Sequence, residues 1–162
     1  MKKNFLIIVS APSGSGKTTV IQRLLKKDKT LIKSVSATTR APRRGEEDGV
    51  DYHFISREEF KKRIQKGYFL EWEEVFGNYY GTPHRPIQKA LKEKRNVVLD
   101  LDVKGALKVK KRLQPNVLLI FLEPPSLAIL RERLKGRSSD SHAEIRKRLA
   151  LAAWEMKKKK RI

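Results

Sequence analysis

The sequence predicts an α/β fold: a parallel-sheet core with helices on both faces, a small mixed insertion beside it, and a helical C-terminal part. Three observations predict it. Short apolar runs of strand length alternate with stretches of helical period. A glycine-rich turn joins the first run to the first helix. Between Ser34 and Gly81 the pattern changes to polar sequence with spaced aromatic residues and turn signals at Pro42, Gly45, Gly49 and Gly77-Asn78.

Phe5 to Ser10 is apolar throughout, as a buried strand requires. Thr18 to Lys27 follows as a helix with Val20, Ile21, Leu24 and Leu25 on one face. In the polar insertion, Ser56-Arg57-Glu58-Glu59 is a capping box that opens a helix ending near Gly67. Val97 to Leu101 and Val117 to Leu122 are two further buried strands, with a helix from Val103 to Arg112 between them. Pro124-Pro125-Ser126 starts a helix that reaches about Lys135. Gly136 to Asp140 is a break of small polar residues, and the capping box Ser141-His142-Ala143-Glu144 opens the last helix.

At 162 residues the chain fits one domain, spanning 1–162. Within it the expected division is a core of 1–33, 82–125 and 149–162, an inserted segment of 34–81 and a helical segment of 126–148, which the family resemblance given below implies to be a lid. No apolar run approaches the roughly 20 residues that span a bilayer, and the absence of cysteine excludes disulfides and thiolate metal sites. The short apolar stretch after Met1-Lys2-Lys3-Asn4 runs into the glycine-rich turn and not into a cleavage site, so the expected location is cytoplasmic. A formal charge of +20 points to anionic partners. No basic motif interleaved with aromatic residues accompanies it, so neither nucleic acid nor membrane is an expected partner.

Ala11-Pro12-Ser13-Gly14-Ser15-Gly16-Lys17-Thr18 matches the phosphate-loop pattern G-x-x-x-x-G-K-[ST], with Ala11 at the first glycine. Gly14 and Gly16 let the backbone turn its N–H groups inward as an anion nest, and the helix that follows adds the positive end of its dipole. Lys17 can reach the β- and γ-phosphates of a bound triphosphate, and the Thr18 hydroxyl can ligate Mg²⁺. An ordinary Gly/Ser turn has no need of the Lys-Thr pair.

Two clusters bear on a second substrate. In Ser36-Ala37-Thr38-Thr39-Arg40-Ala41-Pro42-Arg43 the two guanidinium forks can hold one phosphate monoester between them. The other is Phe69-Leu70-Glu71-Trp72 followed by Gly77-Asn78-Tyr79-Tyr80-Gly81-Thr82. Together with the phosphate loop, Asp51-Tyr52-His53-Phe54 and Leu99-Asp100-Leu101-Asp102, they make the sequence resemble guanylate kinase, a phosphate-loop nucleoside monophosphate kinase. The matching segments cover nearly the whole chain in the family's order.

The resemblance implies transfer of the ATP γ-phosphoryl group to GMP, giving ADP and GDP, with Mg²⁺ as cofactor. It implies that the loop, with Thr19 and Arg133, binds ATP. Arg40, Arg43, Tyr52 and Tyr80 would bind the GMP phosphate within the 34–81 segment, and Ser36, Glu71, Thr82 and Asp100 would surround guanine. A carboxylate such as Glu71 suits guanine independently, because it accepts from N1–H and the N2 amino group, whereas adenine presents a bare N1 acceptor. Arg137 and Arg148 would act with Lys17 on the transferring phosphoryl group. The lid and the 34–81 segment would then move against the sheet on binding.

The family usually continues into a further strand and helix, whereas this sequence ends at Lys157-Lys158-Lys159-Lys160-Arg161-Ile162. That ending leaves a sheet edge unpaired in expectation. The expected assembly is a monomer or homodimer. Related domains also serve as catalytically silent binding scaffolds, and such a scaffold is expected to have lost Lys17 or the lid arginines.

Overall fold

The computed structural model describes residues 5–113, 116–136 and 141–158. Its larger sheet has the strand order β2-β7-β1-β8, with all neighbours parallel: β1 (Leu6–Ser10), β2 (Leu31–Lys33), β7 (Asn96–Leu101) and β8 (Val117–Phe121). Parallel neighbours need crossovers, and helices supply them: α1 (Lys17–Lys27), α3 (His84–Lys92) and α4 (Val103–Leu113). Because side chains alternate along a strand, each central strand feeds two cores. Leu6, Ile8, Val97 and Leu99 pack with Ile87 of α3 and with Ala106 and Val109 of α4. Val9 and Val98 pack with Ile21, Leu24 and Leu25 of α1 on the other face.

The expected parallel core with helices on both faces is therefore present. Two elements in it, β2 and α3, went unread in the sequence. Helix α1 begins one residue earlier than its pattern suggests, and Val20 does not share the buried face. It is 43% exposed, because one step of 100° around the helix from Ile21 turns it away from the sheet.

The 34–81 region forms a second sheet of order β4-β3-β6-β5: β3 (Ser36–Thr38), β4 (Tyr52–Phe54), β5 (Phe69–Val75) and β6 (Asn78–Pro83). Helix α2 (Arg57–Gln65) packs on it through Phe60, which stacks on Phe69 and Tyr79. The β5–β6 hairpin turns at Phe76-Gly77, one residue before the expected Gly77-Asn78; Asn78 instead pairs with Val75. Both turn residues have positive φ, 49° and 75°, as the tightest hairpin turn demands.

Helix α5 (Leu127–Lys135) starts at Ser126, whose hydroxyl accepts the Ile129 N–H. Helix α6 (His142–Lys158) packs on it through Leu130, Leu134, Ile145 and Ala152. Of the two capping boxes, only the second closes in both directions. Ser141 N–H donates to Glu144 at 2.7 Å and Glu144 N–H to Ser141 Oγ at 3.3 Å. At the first, Ser56 caps Glu59 N–H, but the Glu59 carboxylate goes to Arg63 at 2.6 Å. Edge strand β8 leaves Leu118 and Ile120 exposed; both lie on the α1 face of the sheet, in register with Ile7 and Val9, but outside the cluster that α1 covers. Among the described residues, no helix is long and apolar enough to cross a membrane.

Gly81 on β6 has no room for a side chain: an added Cβ would lie 2.8 Å from Phe69 and 2.9 Å from Phe60, both ring carbons. Gly81→Ala is expected to destabilise the fold by about 1–3 kcal/mol through overpacking, measured by denaturant titration against the parent.

Candidate active site

The C-terminal ends of β1 and β7 lie side by side, and the glycine-rich loop leaves the sheet there. Gly14 and Gly16 have φ of 91° and 89°, conformations that exclude other residues without strain. Ala11 has no positive φ, so the departure from glycine at that position is harmless. Ser15 N–H donates to Pro12 O at 3.1 Å, closing the loop on itself. Helix α5 braces it from outside: a Cβ on Gly14 would lie 3.1 Å from Leu130 and 3.3 Å from Leu134. Arg133 on the same helix donates to Ser15 O at 3.5 Å.

Lys17, the first residue of α1, turns its ammonium inward. Nζ lies 2.6 Å from Asp100 Oδ1 and donates to Leu101 O at 2.8 Å. Asp100 meets it because it shares the α1 face of β7 with Val98, two residues earlier.

The small sheet faces this loop across a cavity of about 310 Å³. Along β5 the period of two sends Glu71, Glu73 and Val75 into it, opposite Thr82, Tyr80 and Asn78 of β6. Thr82 is buried behind Glu71 and donates to Oε1 at 2.6 Å, while the Ser36 hydroxyl lies 3.5 Å from Thr82 Oγ1. Helix α4 comes so close that a Cβ on Gly105 would sit 2.8 Å from Glu71 Oε2. Burial pushes the Glu71 carboxyl up to about 7, with Asp102 and Glu73 adding repulsion and the Thr82 hydroxyl opposing. Burial likewise raises Asp102, against the hydrogen bond from Gly105 N–H at 2.7 Å.

On the other side of the cavity Arg40 and Arg43 are joined by Glu46. Arg40 Nη2 reaches Glu46 Oε1 at 2.9 Å and Arg43 N–H donates to Oε2 at 2.7 Å. Burial would raise the Glu46 carboxyl, but these two partners hold it below the usual carboxylate range. Arg40 also lies over the rings of Tyr52 and Phe54, 5.6 and 5.8 Å from their centroids. Tyr52 is pushed well above the ordinary phenol range by burial and by Asp100, so its hydroxyl stays a donor at neutral pH.

The structure thus gathers most of the sequence-nominated residues around one cavity. Ala11, Pro12, Ser13, Gly14, Gly16, Lys17, Thr18, Thr19, Ser36, Arg40, Arg43, Tyr52, Glu71, Tyr80, Asp100 and Arg148 line it. Ser15 and Arg133 sit behind the loop, and Arg137 lies outside the described residues. Arg148 of α6 donates to Ser13 Oγ at 3.2 Å and covers the Phe76 ring at 5.1 Å.

The sequence reading missed Glu46, Glu73, Phe76 and Glu155. Glu155 carried a signal: an acid seven residues after Arg148, on the same helix face. The oxygens of Thr18, Asp100 and Asp102 around one cavity suit a hard divalent cation. Among the described residues no group of three or more His, Cys, Asp or Glu side chains is placed to hold a metal ion.

The phosphate loop, a guanidinium pair and a buried carboxylate thus line one cavity. The sequence of residues 3–160 matches the guanylate kinase family model. The chain belongs to the guanylate kinase family. It is 48% identical over 155 residues to the guanylate kinase of Carboxydothermus hydrogenoformans, covering 96% of this chain and 75% of that one. It is 50% identical over 153 residues to the guanylate kinase of Idiomarina loihiensis, covering 93% and 72%. The crystal structure of guanylate kinase from Anaplasma phagocytophilum superposes with a TM-score of 0.78 at 34% identity, over 97% of this chain and 73% of that one.

The raised Glu71 carboxyl has a consequence for stability. A group with a folded pKa near 7 and an unfolded value of 4.5 favours the fold below pH 4.5, and that contribution is lost as pH rises through 7. Relative to Glu71→Gln, the unliganded parent is expected to lose roughly 1–3 kcal/mol between pH 4.5 and 8. Paired denaturant titrations across that range measure the difference.

Proposed function

We propose that this chain catalyses transfer of the γ-phosphoryl group of ATP to GMP, giving ADP and GDP. The observation that carries the reading is the single cavity shared by the phosphate loop, the Arg40–Arg43 pair and the buried Glu71. Membership of the guanylate kinase family supports it for the chain as a whole.

In this reading residues 11–19 hold ATP, with Arg133 bracing the loop from its outer side. Lys17 leaves Asp100 for the β- and γ-phosphates when ATP arrives, and the loop amides with the α1 dipole neutralise the rest. Thr18 would hold Mg²⁺ through its hydroxyl, and Mg²⁺ supplies charge neutralisation on the phosphate oxygens when bound.

Arg40 and Arg43 grip the GMP phosphate with the Tyr52 and Tyr80 hydroxyls, and Glu46 keeps the two arginines in register. Ionised Glu71 accepts from guanine N1–H and N2–H, Ser36 and Thr82 meet the base edge, and Asp100 closes the guanine side. The attacking GMP oxygen is already anionic, so no protein base is required. Orientation and positive charge do the work: Lys17, Arg148 and Arg137 surround the migrating phosphoryl group.

The domain division follows these roles: a core of 1–33, 82–125 and 149–162, a GMP-binding segment of 34–81 and a lid of 126–148. The reading also includes a cytoplasmic enzyme, monomer or homodimer, without a nucleic-acid or membrane partner. A catalytically silent scaffold has no use for Lys17, whose ammonium is desolvated against Asp100.

Lys17→Ala is expected to lower kcat about 100-fold or more in a coupled GDP-formation assay. Normal turnover in that variant would refute the site. Glu71→Ala is expected to remove about 1–3 kcal/mol of discrimination between GMP and AMP as acceptors. At pH 6, GMP binding to the parent is expected to release a proton that Glu71→Gln does not release. Calorimetry in buffers of different ionisation enthalpy reads that difference.

A further inference from the structure

Strand β5 carries Glu71, and it lies at the edge of the small sheet. In the order β4-β3-β6-β5 it has β6 on one side only. Carbonyls on its other side have no strand to bond. Helix α4 of the core runs along that side and bonds them instead. Arg112 Nη1 donates to Leu70 O, and Lys108 Nζ donates to Trp72 O at 3.3 Å. The two bonded carbonyls flank Glu71. The spacing follows from element geometry: four residues of helix rise about 6 Å and two residues of strand about 6.6 Å, so side chains at 108 and 112 match carbonyls at 72 and 70. Ala106 and Val109 of the same helix pack in the core with Leu6, Ile8, Val97 and Leu99. Helix α4 is thus fixed to the main sheet while another side of it holds β5.

Lys108 makes a further contact that Arg112 lacks. Its ammonium lies 2.5 Å from Glu73 Oε1. Glu73 follows Glu71 on the same face of β5 and lines the cavity with it. Among the described residues Lys108 is the only ion-pair partner of Glu73. An ion pair between two solvated side chains is worth little. The Glu73 side chain, however, is only 18% exposed, and removing the lysine leaves this carboxylate without its cation beside a second one. Lys108 is not itself among the residues lining the cavity, so it acts on the site through β5. Helix α4 also carries Lys104, Lys110 and Lys111, so a basic helix alone accounts for a lysine here. It does not account for one ammonium that meets both a carbonyl and a carboxylate of the strand bearing Glu71.

We propose that Lys108 is a positioning residue for acceptor-base recognition: from α4 it holds Glu73 and the outer edge of β5, and so keeps Glu71 aimed at the guanine. Without it Glu73 swings free next to Glu71, and the strand loses one of its two ties beside that residue. The inference rests on the guanylate kinase reading and on base recognition by Glu71 within it.

The test reads which substrate suffers. Lys108→Met keeps the length and the helix propensity but removes the charge. It is expected to raise KM for GMP about 5- to 20-fold, with KM for ATP and kcat changed less than about threefold. IMP presents N1–H without the N2 amino group, so a misaimed Glu71 discriminates less between the two acceptors. The preference for GMP over IMP in kcat/KM is expected to fall by about threefold or more. Lys108→Arg keeps the charge and the reach, and is expected to stay within about threefold of the parent in every parameter. In a Glu73→Ala background Lys108→Met is expected to cost less than about threefold, because the ion pair carries most of the hold.

A Lys108→Met variant that loses ATP and GMP alike, or keeps its preference over IMP, would overturn the proposal in favour of general loosening. A full loss in the Glu73→Ala background would overturn it in favour of a route that bypasses Glu73. If Lys108→Met fails to fold, as melting reveals, Lys108→Gln decides in its place. Glu71→Gln in the same assay keeps the two levels apart. A parent without GMP turnover, or with an indifferent Glu71→Gln, removes base recognition and this inference with it. An impaired Glu71→Gln beside an indifferent Lys108→Met removes only this inference.

Discussion

Lys17 and Asp100 are 83 positions apart in the chain and 2.6 Å apart in space, and the site depends on that meeting. It follows from one constraint, the parallel pairing of β1 with β7 in the register Val9↔Asp100 and Ser10↔Leu101. Parallel neighbours finish on the same edge of the sheet, so what leaves one strand faces what leaves the other. The phosphate loop leaves β1, and Asp100 to Val103 leave β7. A slip of one residue would turn Asp100 to the α3–α4 face and bring Leu99 against the loop. The apolar cores on both faces therefore set the position of the ion pair, and Val97 to Leu99 contribute to function without touching a ligand.

The electrostatics of the cavity run against the charge of the protein. The chain carries +20, yet Asp100, Asp102, Glu71 and Glu155 converge around Lys17. Burial raises Glu71 and Glu155 to about 7, which limits the negative charge that Lys17, Lys104 and Lys108 must balance. Such a floor does not by itself attract nucleotide phosphates. In the proposed reading, attraction would come from the arginine wall and the loop amides, and the floor would instead present acceptors to donors. The two roles are kept apart by geometry: guanidinium groups on the β3 side, and carboxylates where β5, β7 and α6 converge.

The legible parts of the sequence were those in which local chemistry and tertiary role coincide. The phosphate loop needs glycine at two positive-φ positions and Lys-Thr at a helix start, and all four residues sit together in the chain. The central strands were legible as unbroken apolar runs. Strand β2 has only three residues, Leu31–Lys33, too few for a periodic pattern. Helix α3 follows directly on β6, so no turn residues separate the two periods. Glu46 was illegible as a site residue because its role is to bridge two arginines, and Glu155 carried only its helical spacing from Arg148. The hairpin turn shifted by one residue because Phe76 adopts a φ of 49°, which its side chain disfavours and the β5–β6 register enforces.

Arg148 joins the two halves of the molecule, and the strength of that junction decides how the site can open. Its guanidinium bonds Ser13 of the loop at 3.2 Å and covers Phe76 at the tip of the β5–β6 hairpin at 5.1 Å. A cation over an exposed aromatic face is worth about 0.5–1 kcal/mol, and a hydrogen bond from a charged guanidinium to a hydroxyl about 1.5–3 kcal/mol. Neither holds the hairpin against the lid for long on the timescale of turnover. Phosphates between the loop and the arginine wall change the balance, because each charge-assisted bond to them is roughly twice as strong as a neutral one. In the proposed reading, closure would therefore be driven by the substrates and not by the empty protein. The weak Arg148–Phe76 contact then serves to limit the range of positions from which closure starts. A stronger latch, such as an ion pair at the hairpin tip, would hold the cavity shut and slow the exchange of nucleotides.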